Sequence, residues 1–172
     1  MKQYIMQQFE YHVWANRKVC GYLQELAEEV YQKKIVSVFP TIYDAMVHIY
    51  VIDHGWLSFF TAGGVTDMSA EYLSQLKNNI DSVVAETKGK RIEELGQMMG
   101  DLAEQFRIFI GQLEDIEVIY PSGAFEARCL DYIQHMVNHG TYHRGNVTAM
   151  LRQLELPGTP TDYGFYLYTL SQ

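Results

Sequence analysis

TIYDAMVHIYVIDHGWLSFF, residues 41–60, is apolar on nearly every helical face and carries only two acids, Asp44 and Asp53. A helix of this kind has no side to give to water, so it belongs at the centre of its domain. Pro40 can open it at the first turn, and Gly63-Gly64 end it. Upstream, Ile5, Phe9, Val13, Cys20, Leu23, Ala27 and Val30 recur mostly at intervals of three, four and seven. That spacing predicts an amphipathic helix over about 2–30. Downstream, Ile92, Leu95, Met98, Leu102, Phe106, Ile110 and Leu113 predict a third long helix over about 91–113. A fourth runs from about Leu130 to Leu154 and is stopped by Leu156-Pro157-Gly158 and Pro160.

Between these helices lie less regular segments. Residues 65–90 are more polar, and they read as a long connection with short helical pieces around Ala70–Leu76 and Ile80–Glu86. Glu117–Tyr120, the turn Pro121-Ser122-Gly123 and Phe125–Cys129 read as a short β-hairpin. The aromatic tail TDYGFYLYTLSQ is expected to pack back on the helices. The fold class is therefore all-α, a four-helix bundle with a long crossover between its second and third helices and a hairpin before the last. The whole chain, 1–172, makes one domain.

With 48% apolar and 13% aromatic residues, the composition is that of a globular protein. A net charge of −8 with no Lys/Arg cluster disfavours nucleic acid and anionic membrane surfaces as partners. No run of about 18 apolar residues is long enough to span a bilayer. The N-terminal MKQYIMQQFEYHVW lacks the apolar core of a secretory signal. Cys20 and Cys129 form no CxxC and fit reduced thiols, so a cytoplasmic location is expected.

The chemistry is concentrated in histidines. QHMVNHGTYHRGN, residues 134–146, places His135, His139 and His143 at a strict spacing of four. Residues four apart on a helix lie about 40° apart and one turn along, so neighbouring imidazoles can share one cation. HxxxH alone says little; a third donor is needed. The buried second helix offers His48, which must either hydrogen-bond in the core or bind something. His135 leaves two arrangements open, a fourth ligand closing the site or a neighbour of an open one. His54 lies about 120° round the helix from His48 and cannot easily face the same ion. Asp44, one turn before His48, is a candidate to accept a hydrogen bond from its imidazole and so orient it. Asp53, about 140° away, is expected to pair with a neighbouring helix or take a role of its own. His12 reads as a surface residue. Glycine, not glutamate, follows His139, so the HExxH arrangement of a metalloprotease is missing.

Four segments together resemble the DinB/YfiT-like metalloprotein family, which includes damage-inducible proteins. They are Trp14-Ala15-Asn16-Arg17, His48 to Trp56 as H-x4-D-x2-W, Asn138 to Asn146 followed by AMLRQLEL-P, and Pro160 to Tyr163. The resemblance spans nearly the whole chain in the right order. It implies a four-helix bundle, often dimeric, with a divalent metal on His48, His139 and His143. Zinc is the first expectation, with nickel or iron as alternatives. His135 is not the usual ligand, and Tyr142 stands where many members have another histidine. Arg144 and Asn138 are expected to support the bundle. The family's thiol transferases imply a small thiol, such as bacillithiol, mycothiol or glutathione, attacking an electrophile. A cavity lined by Tyr50, Trp56 or Tyr142 would serve such a reaction. The alternatives are a non-catalytic metal-binding stress or interaction module and a metal-dependent hydrolase.

Overall fold

The computed structural model describes residues 1–172. Four long helices form the bundle: α1 (Lys2–Gln24), α3 (Ile42–Thr61), α5 (Ile92–Gln112) and α6 (Cys129–Gln153). Around the bundle each helix meets two neighbours, in the order α1, α5, α3, α6 and back to α1. A short α2 (Glu28–Tyr31), a crossover helix α4 (Ala70–Thr87), strands β1 (Ile119–Ser122) and β2 (Phe125–Arg128), and a C-terminal α7 (Tyr163–Leu170) complete the chain. The fold is all-α with a short hairpin, as expected.

The central position of α3 follows from its composition. Ile42, Ala45, Met46 and Ile49 are wholly buried among Leu23, Leu95, Ile110, Ile133 and Met136 of the other three helices. Its start is fixed by Thr41, whose Oγ1 accepts from the Asp44 amide at 3.0 Å and donates to Asp44 Oδ2 at 2.7 Å. That cap satisfies an amide that the first turn leaves free. At its end, Gly64 has φ +92, and a Cβ there would lie 2.6 Å from Pro121 Cδ. Only glycine lets the chain pass this close to β1. Val65 then bonds Pro121 O and Gly123 N, both at 2.8 Å, and ties the end of α3 to the hairpin.

Two segments differ from their sequence-based reading. The first helix stops at Gln24, because Ala27 is extended (φ −64, ψ 144) and the chain restarts as α2. The break turns Tyr31 into the core, where it stacks on Tyr43 at 6.4 Å, and leaves Ala27 exposed. Residues 70–87 form one continuous helix, not two short pieces. Ser69 caps it by accepting from the Tyr72 amide at 3.2 Å, and Asn78-Asn79 are carried on its exposed face. Interior asparagine costs a helix only some tenths of a kcal/mol, too little to break it.

The hairpin pairs Ile119 with Arg128 and Ser122 with Phe125, turning at Gly123-Ala124. The tail does pack back: Tyr163 and Tyr166 of α7 meet Tyr11 and Trp14 of α1 with ring centroids 5.1–5.7 Å apart. No helix is long and apolar enough to cross a membrane.

Candidate metal centre

Where α3 crosses α6, three imidazoles converge. The His48 and His139 rings are 5.1 Å apart, His48 and His143 4.5 Å, and His139 and His143 4.3 Å. One nitrogen from each lies within 4.8 Å of the others, and His48 Nε2 is 3.2 Å from His139 Nε2. Two nitrogens about 2.05 Å from one tetrahedral zinc would sit about 3.3 Å apart. The donor set fits a borderline divalent ion, and the His48–His139 pair already has that spacing.

Electrostatics keep these groups in the form a cation needs. Burial lowers the pKa of His139 to about 4, helped by the neighbouring His143 and His48. Burial also lowers His48, opposed by Asp53, and lowers His143, which feels His48 beside it. The lowered values favour the uncharged imidazole at neutral pH, the form that can offer a lone pair to a cation.

The other predicted residues fall elsewhere. His135 is exposed and packs against Trp56 at 5.5 Å, with its ring 6.2 Å from His139 and outside the cluster. His54 turns towards Tyr50, consistent with its angle on the helix. Asp44 does not support His48; Thr41 engages it in the helix cap. Asn138 is exposed and accepts only from Gln134 at 3.3 Å, so it braces no helix pair. Tyr50 is buried, Trp56 half-buried, and Tyr142 stands exposed beside His143 at 5.0 Å.

Two neighbours of the cluster were not picked out from sequence. Phe39, in the connector before α3, lays its ring 5.1 Å from His48 and 5.3 Å from His143. Asn146, one turn after His143, has its Nδ2 3.3 Å from His143 Nδ1. An amide nitrogen can only donate, so Nδ1 accepts from it and the ring is held in place. The i, i+3 spacing on α6 was the available signal for Asn146; a loop phenylalanine gives none.

His12 is the principal correction. Expected at the surface, it is 1% exposed and lies in the bundle interior, its ring reaching from α1 to side chains of α3 and α6. Its Nε2 lies 2.8 Å from Asp53 Oδ2, and Arg144 Nη1 lies 3.3 Å from its Nδ1. Arginine can only donate, so Nδ1 accepts and Nε2 carries the proton to Asp53. Arg144, 2% exposed, also donates to Asn16 Oδ1 at 2.8 Å and Thr141 Oγ1 at 2.9 Å. The buried carboxylate and guanidinium compensate each other through the imidazole, as two buried charges must. Arg144 thus does support the bundle. Gly140 makes the room: a Cβ there would collide with the His12 ring.

A cavity of about 480 Å³ lies between α1 and α5. Its lining includes His12 and Asp53 but none of the three clustered histidines.

A helical bundle with convergent histidines from two of its helices defines a class of candidate metalloproteins. The DinB family model matches residues 1–170, and the chain belongs to the DinB family. It is 38% identical over 173 residues to Protein DinB of Bacillus subtilis (strain 168), covering 98% of this chain and 96% of that protein. Family membership and the histidine group together fit metal binding.

Proposed function

We propose that this protein is a metal-dependent thiol S-transferase of the cytoplasm, working as a homodimer. His48, His139 and His143 would hold one divalent ion, zinc first and nickel or iron next. The sulfur of a small thiol, its proton lost to solvent, would bond an electrophilic carbon beside that ion and displace the carbon's leaving group, such as chloride. The observation that carries the reading is the donor set: three neutral imidazoles within 4.8 Å, with His135 turned to Trp56 instead of completing a fourth position. Three protein ligands and one open position are the catalytic arrangement of such ions. A bound ion supplies Lewis acidity, lowering the pKa of a thiol that shares it.

The chain's own residues do the rest. Phe39 and Tyr142 flank the cluster with aromatic surface, which limits water and suits an apolar electrophile. Asn146 orients His143. The Asp53–His12–Arg144 relay holds α3 and α6 in register through α1, so the histidines stay aligned. Hydrolysis finds less support, because Gly140 follows His139 and Asp53 is engaged by His12. The position of the 480 Å³ cavity, away from the cluster, favours a second reading as a non-catalytic metal-binding module.

Elemental analysis of protein purified without an affinity tag decides the first step. We expect close to one ion per chain, lost in His139→Ala and retained in His135→Ala. Unchanged metal content in His139→Ala would overturn the ligand set. The loaded protein is then assayed with bacillithiol, mycothiol or glutathione against a chlorinated aromatic. Turnover with one thiol supports the transferase, and inertness with all three favours the binding module.

A further inference from the structure

The C-terminal helix carries more apolar surface than its packing uses. Six of the eight residues of α7 are Leu, Phe or Tyr and none is charged, yet only Tyr166 is buried. A helix apolar all round belongs in an interior, and one this short needs packing to hold its shape. The face of α1 beneath it covers one side alone. Tyr163 and Tyr166 meet Tyr11 there, and Phe165 lies 6.0 Å from Trp14. Leu167, Tyr168 and Leu170 remain 41–59% exposed, and Phe165 stacks on Tyr168 at 6.4 Å. Tyr4 of α1, 54% exposed, shares a shallow groove with Tyr166 and extends the surface.

The charges around this surface favour self-association. From Tyr163 to Gln172 the chain has no Asp, Glu, Lys or Arg, although the protein's net charge is −8. Two copies therefore repel one another least along this face. At its rim stand Asp162, where α7 begins, and Arg17 and Lys18 of α1, all three exposed. None of them forms a salt bridge within the chain. Lys18 stands instead 5.9 Å over the Trp14 ring. A two-fold axis brings the same patch of two copies together, so the free cations of one can meet the free Asp162 of the other.

Resting on the homodimer reading above, we propose that the α7–α1 face is the contact between the two copies, related by a two-fold axis. Phe165, Leu167, Tyr168, Leu170 and Tyr4 together expose about 500 Å² per copy, at roughly 200 Å² for a whole residue. A standard interface takes about 800 Å² per partner, so these side chains form its apolar centre and the charged rim completes it. An anionic bilayer is a poorer occupant, because the net charge of −8 opposes it. None of these residues belongs to the histidine cluster, so the contact can be broken without touching the metal donors.

Sedimentation velocity of the full chain, alone and as Tyr168→Asp and Tyr4→Asp, tests this. The unaltered chain should run as a dimer. Each substitution puts a charge into the contact twice, once per copy, and should raise the dimer dissociation constant at least about a hundredfold. Both positions are exposed, so far-UV circular dichroism and metal content should match the unaltered chain. Val36→Asp, at a site 97% exposed in the connector before α3, should leave the dimer intact. A dimer that persists in both tyrosine variants sinks this face and spares the homodimer, whereas a monomeric unaltered chain sinks both. Dissociation by Val36→Asp as well would mean that added charge alone separates the copies, and the proposal fails. It fails equally if the unaltered chain pellets with phosphatidylcholine vesicles and Tyr168→Asp does not, which would assign the face to lipid.

Discussion

Gly140 is the residue on which the histidine crossing depends most narrowly. It faces His12 with no space for a side chain, while His139 beside it points to the cluster. Gly140→Ala gains helix propensity of about 1 kcal/mol. Overpacking a buried ring costs about 1–3 kcal/mol, so the variant should be less stable by denaturant unfolding and should bind metal more weakly. Acid should act on the clustered histidines directly. Their folded-state pKa values are lowered, that of His139 to about 4, so protons bind the unfolded chain more readily. Their contribution to stability is full above about 6.5 and is lost as pH falls towards 4. For metal-free protein the unfolding midpoint should drop over that window, and His139→Gln should flatten the drop; an equal slope in both would contradict burial of a neutral imidazole. The three clustered histidines were legible because a spacing of four and a histidine within an apolar stretch of helix are patterns within one element. His12 was not, because its burial depends on a glycine 128 residues away in sequence and on an acid of a third helix.

At the scale of elements, α4 is the loosest. Of its eighteen residues only Val83 and Thr87 are buried, and Leu73, Leu76 and Ile80 face outward. Few buried contacts mean low local stability. Amide exchange should be fastest, among the helices of ten or more residues, in its first three turns. Protection there equal to that of α3 would show that another surface covers the helix. The end near Thr87 should exchange more slowly, because Tyr43 donates to the Thr87 carbonyl at 2.9 Å. The two misread segments share a cause with this looseness. Where an element packs strongly, as α3, α5 and α6 do, hydrophobic period marks its extent. At residues 25–31 and 70–87 packing is weak, and local caps and turns set the boundaries instead.

For the molecule as a whole, the tail closes one side of the bundle. Tyr163 bonds Gln8 at 2.7 Å, and Tyr11 donates to the Thr161 carbonyl at 2.8 Å, so α7 holds α1 near the buried Arg144 relay. Removing residues 157–172 should lower the melting temperature and shift Trp14 emission to the red. An unchanged spectrum would mean the aromatic contact contributes little. The histidine donors show a similar dependence on distant chain segments. His48 and His139 lie 91 residues apart in sequence, on helices that come together only when the last long helix docks. A ribosome therefore releases one donor long before its two partners, and the growing chain offers a passing ion no chelate. Any loading of this site has to follow folding, so an ion bound there would be one the finished protein meets, whatever metals surrounded its synthesis.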